Sequence, residues 1–493
     1  MEPIKILFMV NEALTIARAA FPVYRALDLQ QRAGFLHAIA RQLETHAAAL
    51  IQLASRETNL AEGRLHAELK RTVFQVDSYA DACAEGTWLD LRLDTADPGR
   101  QPQPKPDVRK MLVPLGPVVV FGASNFPFAY STAGGDSACA LAAGCPVIIK
   151  GHPGHARTSA AVARIVQDAA RVRNLPEGVF QHLEGEGYAL GQELVQHPLT
   201  KAVAFTGSLQ GGRALFDLAA RRPEPIPVFA EMGSTNPVFL LPGKLEAEAE
   251  SIAAQYAASI TGSAGQFCTK PGILVGLQSE ALQRFEQFLS QRIQATPPEL
   301  MLHEGIARHF HERRRSVLQV LQEPSGAATG AEVAGHSLPT LVRTDAATFL
   351  QHMELREEVF GPYSLIVACR DRVELMQVAL SLDGQLTASV QATEEDAGNF
   401  AELLDWLPQI CGRLVWNGVP TGVEVCLSMH HGGPYPATTD SRFTAVGADG
   451  IRRFARPVCY QNHPDHLLPA ALQNANPLGL WRTVNNKLTK EPL

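Results

Sequence analysis

Cys268 is the residue of this sequence whose type and surroundings best suit nucleophilic chemistry. It stands in Gly265-Gln266-Phe267-Cys268-Thr269, where the glycine leaves the backbone room to approach a substrate. A thiolate attacks carbonyl carbon readily, but an ordinary thiol has a pKa of about 8.5 and needs a neighbouring group to ionise at neutral pH. Because most cysteines are buried packing residues, Cys268 gains meaning only with partners that suit the same reaction.

Two polar residues elsewhere in the chain have the chemistry that such a nucleophile requires. Glu231 ends an apolar run and precedes Met232-Gly233-Ser234, so its carboxylate is accessible and suits a general base. Asn125, in Ser124-Asn125-Phe126-Pro127-Phe128, has an amide N–H that can stabilise an oxyanion. Each also has an ordinary interpretation: Glu231 as a salt-bridged surface carboxylate, and Asn125 as a turn former before proline.

A glycine-rich turn lies between these two residues. The segment Phe205-Thr206-Gly207-Ser208-Leu209-Gln210-Gly211-Gly212 has the composition of a strand, a turn and the start of a helix. Glycines let the backbone approach a ligand, and the first turn of a helix attracts phosphate. The spacing is not G-x-G-x-x-G, however, and an ordinary strand-to-helix turn explains the pattern equally well.

Regular elements are predicted around these segments. Residues 29–85 have the apolar spacing of helices, whereas the proline-rich residues 92–110 predict an exposed strand or hairpin. Short apolar strands then alternate with helices from 112 to 232, and again in a second block with strands near 238, 273, 364, 387 and 414. This alternation predicts two α/β domains with parallel sheets, which bind ligands beyond the carboxyl ends of their strands.

Length and composition exclude several classes of protein. The 493 residues are too many for one simple core and predict two or three domains. A net charge of −7 leaves no basic footprint for nucleic acid, and eight cysteines without a C-x-x-C pair argue against a disulfide scaffold or a structural zinc site. The apolar run 4–10 is short, and no segment reaches about 18 uninterrupted apolar residues. We therefore expect a cytoplasmic protein without a membrane span.

Taken in order along the chain, these segments resemble the aldehyde dehydrogenase superfamily. Five of them occur in that family's order and near its intervals: Asn125, Lys150, the Gly207 turn, Glu231 and Cys268. The segment Glu357-Glu358-Val359-Phe360-Gly361-Pro362 is similar to the family's nicotinamide-ribose motif. The resemblance covers nearly the whole chain.

The resemblance implies a role for each matched position. Cys268 would be the nucleophile, Glu231 the general base that deacylates it, and Asn125 an oxyanion donor together with the backbone N–H of Cys268. The implied cofactor contacts are Ala123, Ser124, Lys150, His152, Phe205, Gly207, Ser208, Gly212, Met232, Gly233, Glu358 and Phe360. No metal is expected, because the nicotinamide accepts the electrons.

The fold that the resemblance implies is α/β, with two doubly wound domains and a small β excursion for oligomerisation. The dinucleotide-binding domain would comprise residues 1–91 and 111–232, and the catalytic domain residues 233–430. Residues 92–110 and 431–493 would form oligomerisation or bridging segments. Because such an excursion pairs with the sheet of a neighbouring subunit, a homodimer or homotetramer is expected.

The turn after Lys150 departs from the common family pattern. In Lys150-Gly151-His152-Pro153-Gly154-His155, Pro153 stands where the family often has a carboxylate for the adenosine ribose. Loss of that carboxylate removes repulsion against a 2′-phosphate, and Lys150, His152 and His155 offer positive or donor groups. We therefore expect NADP to be preferred to NAD, or both to be used.

The segment from His431 to Arg442 departs as well, and with 417–423 and 456–461 it is similar to one branch of the family. That branch contains 2-oxoglutarate semialdehyde (2,5-dioxopentanoate) dehydrogenases, so the expected reaction is oxidation of this aldehyde to 2-oxoglutarate. The far carboxylate of such a substrate needs a partner; Lys270 and Arg442 are the candidates, and Arg442 is preferred. Arg442 also has an ordinary interpretation, as a cap on its loop or a contact to a neighbouring subunit.

Two other enzymatic activities remain open at this point. Related members of the branch act on fatty aldehydes, so an NADP-dependent fatty or broad-specificity aldehyde dehydrogenase is the first alternative. A CoA-acylating enzyme that passes its thioester to another acceptor is the second, although a deacylating base at Glu231 favours water. A non-catalytic relative would not need Cys268, Glu231 and Asn125 together.

Overall fold

The structure is a computed structural model that describes residues 3–322 and 333–493; residues 323–332 of the predicted catalytic domain lie outside this part. The strands in it are β1 (Arg92–Asp94), β2 (Val108–Pro114), β3 (Val118–Phe121), β4 (Val147–Lys150), β5 (Phe180–Leu183), β6 (Ala202–Thr206), β7 (Val228–Glu231), β8 (Val238–Leu240), β9 (Ile273–Leu277), β10 (Thr340–Asp345), β11 (Tyr363–Cys369), β12 (Gln385–Gln391), β13 (Cys411–Trp416), β14 (Ala455–Gln461), β15 (Arg482–Val484) and β16 (Lys487–Thr489). The α-helices are α1 (Pro3–Arg25), α2 (Leu29–Thr45), α3 (Ala47–Thr58), α4 (Glu62–Glu85), α5 (Gly135–Ala143), α6 (Ala156–Val172), α7 (Ala189–Gln196), α8 (Leu209–Ala220), α9 (Pro242–Thr261), α10 (Glu280–Ala295), α11 (Glu304–Val320), α12 (Ala346–Gln351), α13 (Arg372–Leu380), α14 (Glu394–Asn399) and α15 (Ala401–Ile410).

The first α/β block forms a five-stranded parallel sheet in the order β5-β4-β3-β6-β7. Its central strand β3 places Val118 opposite Val147 on one side and opposite Ala202 on the other, and all three side chains are buried. Residues buried on both faces of a parallel sheet read as short continuous apolar runs. The strands predicted between residues 112 and 232 are therefore confirmed.

The second block forms a six-stranded parallel sheet in the order β10-β11-β9-β8-β12-β13. Two apolar clusters cover its faces, one around Phe239 and Leu365 and the other around Val238 and Ile366. The five strands predicted in this block are confirmed. The edge strand β10 was not predicted, since its buried residues alternate with exposed charges at Arg343 and Asp345.

A third, mixed sheet has the order β14-β2-β1-β15-β16. The predicted excursion supplies β1 and β2, which pair antiparallel with Arg92 opposite Lys110. The chain after residue 457, which has little periodicity, nevertheless supplies most of β14 and all of β15 and β16. β14 pairs with β2 from Ala455 opposite Pro114 to Gln461 opposite Val108, which ties the two predicted bridging segments together.

The N-terminal apolar segment is longer than its sequence suggested. The run 4–10 does not stop at Asn11 but continues as α1 to Arg25, so the expectation of a short run was wrong. By length and composition alone this helix is apolar enough to cross a bilayer, with a mean hydropathy of 1.4. Its buried side chains, among them Val10 and Leu14, pack against Val119 and Ile148 of the first sheet.

Candidate active site

The site lies where the carboxyl end of the first sheet meets the amino end of the second. Glu231 is the last residue of β7, whereas Cys268 precedes β9 and the segment 357–362 precedes β11. Asn236, just before β8, donates its side-chain amide to the carbonyl oxygens of Cys268 (2.8 Å) and Lys270 (3.1 Å). The segment that links β7 to β8 is thus fastened to the turn that carries the sulfur.

The turn that carries Cys268 is held in an unusual backbone conformation. Ser263, Ala264 and Gly265 have φ values of +52°, +53° and +64°, a backbone region that residues other than glycine rarely adopt. A Cβ on Gly265 would lie 2.3 Å from the carbonyl carbon of Gly361, so only glycine permits this close packing. The predicted nicotinamide-ribose motif therefore supports the nucleophile's turn directly.

Three reactive side chains converge at this point. The Cys268 sulfur lies 3.7 Å from Nε2 of His431, and the same nitrogen lies 3.1 Å from Oε2 of Glu231. Glu231 and His431 are 4 % and 2 % exposed, whereas Cys268 is half-buried and therefore accessible. The ligand-type atoms of the trio lie within 4.8 Å of one another, a spacing that would also suit a metal ion. The expectation of no metal stays a prediction.

Glu231 and His431 are placed by one irregular segment that follows β13. Thr438 forms an antiparallel bridge with Glu231, and the Met232 N–H donates to the carbonyl of Ala437 (2.8 Å). The His431 N–H donates to the Thr444 hydroxyl (2.9 Å). Sequence reasoning included His431 in a departing segment but gave it no role. The only signal was a histidine directly before two glycines where the family has an aromatic residue.

Electrostatics keep the thiol protonated until it is activated. Burial raises the pKa of Cys268 well above its ordinary value, and the negative charge of Glu231 raises it further, whereas Arg71 lowers it. A single nitrogen, Nε2 of His431, faces both the thiol and the carboxylate. Unprotonated it can accept the thiol proton, and protonated it can donate to Glu231, so one imidazole suits both stages of an acyl transfer.

Asn125 lies beside the nucleophile as predicted. Its side-chain amide donates to the carbonyl of Gln266 (3.1 Å), two residues before Cys268, and it is 8 % exposed. The backbone carbonyl of Asn125 accepts from Nη2 of Arg64 (2.7 Å), and this bond fixes the loop that carries Asn125. The amide is therefore buried next to the place where an oxyanion on a Cys268 adduct would form.

Glu358 completes the acidic side of the pocket. A Cβ on Gly233 would lie 2.6 Å from Oε2 of Glu358, so this glycine makes room for the carboxylate. Burial raises the pKa of Glu358 and the charge of Lys270 lowers it. Lys270 is itself buried and donates to the carbonyl of Tyr363 (2.8 Å). Phe360 stands in the same segment, one residue before the glycine that packs on the nucleophile's turn.

The cofactor residues predicted on the first sheet gather at its carboxyl end. Lys150 ends β4, and the Gly207 N–H donates to the carbonyl of Glu231 (3.0 Å), which joins the glycine turn to the base. Ser208 caps α8 by accepting from the Gly211 N–H (3.2 Å). A Cβ on Gly212 would lie 2.6 Å from the Met232 side chain. An open helix N-terminus beside close-packed glycines fits a dinucleotide diphosphate.

Burial decides which of the expected positive or donor groups the histidines after Lys150 can supply. Burial, together with His155, His303 and Lys150, lowers the pKa of His152 to about 3, so it is neutral at physiological pH. His155 is fully buried, and its Nε2 lies 2.8 Å from the carbonyl of Ala123. Of the positive or donor groups expected here, His152 therefore offers a neutral donor, since its Nδ1 accepts from the Gly154 N–H (3.0 Å).

The structure does not bring Arg442 into the cluster. Its side chain is 78 % exposed and makes two hydrogen bonds to the carboxylate of Asp440, of 2.8 and 2.6 Å. Ser124 is half-buried and Ala123 buried, both at the end of the strand that precedes Asn125. Arg442 therefore points to solvent rather than to the cluster around Cys268.

Comparisons with known proteins agree with this geometry. The pattern of the aldehyde dehydrogenase family matches residues 9–435. Alpha-ketoglutaric semialdehyde dehydrogenase 2 of Azospirillum brasilense is 46% identical over 480 residues, which are 97% of this chain and 91% of that protein. Alpha-ketoglutaric semialdehyde dehydrogenase of Acinetobacter baylyi is 43% identical over 483 residues, 98% of this chain and 91% of that one.

Solved structures share the fold at low sequence identity. A 1-pyrroline-5-carboxylate dehydrogenase from Thermus with bound NAD has a TM-score of 0.77 at 22% identity, with 92% of this chain and 85% of that chain covered. A glyceraldehyde-3-phosphate dehydrogenase from Methanocaldococcus jannaschii complexed with NADP has a TM-score of 0.76 at 18% identity, with 92% and 94% covered. The predicted α/β fold is confirmed.

Proposed function

Because the chain belongs to the aldehyde dehydrogenase family, we propose that it oxidises 2-oxoglutarate semialdehyde to 2-oxoglutarate through a thioester on Cys268. It is an oxidoreductase that acts on aldehydes and uses a nicotinamide cofactor. The observation that carries the choice of substrate is the identity of 46% over 97% of the chain to a protein named for that aldehyde. The contacts among Cys268, His431 and Glu231 support the mechanism.

Activation of the thiol is the first step that these residues perform. The Cys268 proton passes to Nε2 of His431 at 3.7 Å, and Glu231, 3.1 Å from the same nitrogen, stabilises the imidazolium that forms. The thiolate then adds to the aldehyde carbon, and the amide of Asn125 stabilises the oxyanion. When bound, the nicotinamide supplies the hydride acceptor that turns this adduct into a thioester.

Release of the acid depends on Glu231. Neither carboxylate oxygen of Glu231 accepts a well-directed hydrogen bond from the part of the chain that the structure describes. Its lone pairs therefore remain available to a water molecule, which it activates for attack on the thioester. His431, whose Nε2 lies 3.1 Å from Oε2 of Glu231, can return its proton to the departing sulfur.

NADP is the cofactor that we propose to be preferred. Pro153 is exposed at the end of the turn after Lys150, so no carboxylate occupies that position to repel a 2′-phosphate. Glu57, an acidic side chain that does approach this turn, caps α6 by accepting from the N–H and the hydroxyl of Thr158, both at 2.7 Å. Lys150 remains as a positive group, because the two nearby histidines are neutral or buried.

A panel of aldehydes tests the proposed substrate. Initial rates with 2-oxoglutarate semialdehyde, succinate semialdehyde and hexanal are measured with NAD and with NADP. We expect the largest kcat/KM for 2-oxoglutarate semialdehyde with NADP. A larger kcat/KM for hexanal would replace the proposal with the fatty-aldehyde alternative, and acyl-CoA formation in the presence of CoA would favour the acylating one.

We also propose a cytoplasmic homodimer or homotetramer that assembles through the third sheet. Apolar side chains stand exposed on the segments that build this sheet, among them Leu467 (61 %), Trp481 (46 %) and Leu488 (68 %). Exposed apolar side chains on an open sheet favour a partner subunit. Light scattering of the purified protein, with Leu488→Glu as a variant, tests the assembly. A monomeric unmodified protein would refute it.

A further inference from the structure

Three arginines surround the reactive thiol without an acidic partner of their own. Arg64 and Arg71 lie seven residues apart on α4 and so on one face of the helix, whereas Arg413 lies on β13. None of them has a carboxylate within 4.0 Å in residues 3–322 and 333–493. In each, one nitrogen is buried without a hydrogen-bond partner in that same part: Nη1 of Arg64, Nη1 of Arg71 and Nε of Arg413.

Arg71 and Arg413 both donate hydrogen bonds to backbone carbonyls of the loop 420–423. Nε of Arg71 donates to the carbonyl of Val423 (3.3 Å). Nη1 of Arg413 donates to the carbonyl of Gly422 (2.8 Å), and its Nη2 donates to that of Pro420. The two guanidinium groups are therefore neighbours across residues 420–423, each with one nitrogen left over.

The guanidinium groups of Arg71 and Arg413 are both linked by contacts to residues beside the Cys268 thiol. The Arg71 guanidinium lies 5.5 Å from the centre of the Tyr130 ring, and that ring lies 6.1 Å from the ring of His431. Next to Arg413, a Cβ on Gly412 would lie 2.1 Å from the carbonyl oxygen of Gly432, the residue after His431. Arg71 is thus connected to His431 through Tyr130, and Arg413 through Gly412 and Gly432.

Charge interactions agree with this placement. The positive charge of Arg71 lowers the pKa of the Cys268 thiol, and a thiolate at Cys268 raises the pKa of Arg413 against the lowering effect of its burial. The nearest acidic group is Glu68, which interacts first with Arg64 and then with Arg71, and one of its oxygens accepts from the N–H groups of Phe128 and Ala129 at 2.8 and 3.0 Å. Arg71 and Arg413 therefore give the surroundings of Cys268 a positive electrostatic potential.

We propose that Arg71 and Arg413 together bind the carboxylate at the far end of the substrate from its aldehyde. This inference rests on the proposed function, since it assigns the residues that recognise a 2-oxo acid semialdehyde. A partly buried guanidinium with an unpaired N–H is stabilised by a carboxylate, and two such groups from different elements set the distance between the carboxylate and the sulfur. Arg64 lies 5.0 Å from the ring centres of both Phe126 and Phe267, the latter directly before Cys268.

The test compares Arg71→Met and Arg413→Met on 2-oxoglutarate semialdehyde and on hexanal. Each variant should raise KM for the semialdehyde at least about tenfold, because a charge-assisted hydrogen bond is lost, while KM for hexanal stays within about twofold. Arg71→Lys and Arg413→Lys keep the charge and should restore part of the loss. Arg292→Met, on the exposed side of α10 next to Glu250, is the matched control and should change neither KM.

A binding measurement separates this inference from the proposed function. In the Cys268→Ala background, calorimetry with 2-oxoglutarate as the probe should show weaker binding when Arg71 or Arg413 is replaced by Met. If the unmodified enzyme prefers the semialdehyde but both Met variants keep its KM, the inference fails and the proposed function stands. Equal losses on both aldehydes without rescue by Lys, or a selective loss in Arg442→Met alone, would also overturn the clamp. A preference of the unmodified enzyme for hexanal overturns the proposed function itself.

Discussion

The two large sheets contribute to the site in opposite ways. The first presents the carboxyl ends of its strands: Lys150 and Thr206 end strands that lead into helices, and Glu231 ends β7, which leads into β8 of the second sheet. The second presents amino ends: Asn236 precedes β8, Cys268 precedes β9, and Gln385 begins β12. In the first sheet the residues that follow β4 and β6 are placed by their own local turns, whereas Glu231 is also held by an antiparallel bridge to Thr438. In the second, each is placed by contacts from distant parts of the chain.

Hydrogen bonds show how differently the two faces are built. On the first sheet, Ser208 caps the helix that begins at the next residue. At the second, the side chain of Gln385 accepts from the N–H of Thr235 (2.8 Å) and of Asn236 (3.1 Å), about 150 residues away along the chain. The predicted phosphate-binding turn is therefore built locally, whereas the residues around Cys268 are held by contacts between distant parts of the chain.

The largest effect expected is on the chemical side of this comparison. Cys268→Ala should lower turnover by at least about ten-thousandfold, because removal of a nucleophile leaves only binding and oxyanion stabilisation. Binding of NADPH, followed by fluorescence, should stay within about threefold, since the cofactor face is built separately. Cys459→Ala, at an exposed thiol on β14, is the control and should keep full activity. Turnover in pure Cys268→Ala protein would refute the nucleophile.

Glu231 is expected to have the next largest effect. Glu231→Gln should slow steady-state turnover by about a hundred- to ten-thousandfold while a rapid burst of NADPH remains, because the thioester forms but is not hydrolysed. Stopped-flow absorbance of NADPH measures both phases. Loss of the burst in proportion to turnover would assign Glu231 to thiol activation instead of deacylation.

Glu231→Gln and Arg71→Met should shift the titration of the Cys268 thiol in opposite directions. A raised pKa leaves little thiolate at neutral pH, so inactivation by iodoacetamide should speed up as the pH rises. Because Glu231 raises the pKa of Cys268 and Arg71 lowers it, Glu231→Gln should shift the inactivation profile to lower pH and Arg71→Met to higher pH. Profiles that move together, or not at all, would show that neither charge reaches the sulfur.

The difference between the two sheets also explains what could be predicted from the sequence. The strands of both sheets, apart from β10, follow from short apolar runs, and Glu231 and Asn125 follow from chemistry at the end of a run. His431 could not be given a role, because its 3.7 Å contact with Cys268 spans 163 residues and lies in an irregular segment. Arg442 was expected to bind the far carboxylate because it stands in a glycine-rich loop, whereas its exposure depends on packing that no local pattern encodes.

The smallest effect expected concerns the cofactor face. Pro153 is exposed, and the turn around it contains no carboxylate, so Pro153→Glu adds a negative charge without disturbing a buried contact. We expect kcat/KM with NADP to fall by about three- to tenfold while that with NAD stays level or rises, because a carboxylate repels the 2′-phosphate and accepts from a 2′-hydroxyl. Pro153→Gln has nearly the same shape without the charge and should change the NADP to NAD ratio much less. If both variants lower the ratio equally, the loss of proline rigidity rather than charge is responsible, and if neither changes it, the adenosine ribose does not lie at this turn. Either result would leave the chemistry at Cys268 untouched, since that side of the site is assembled from other parts of the chain.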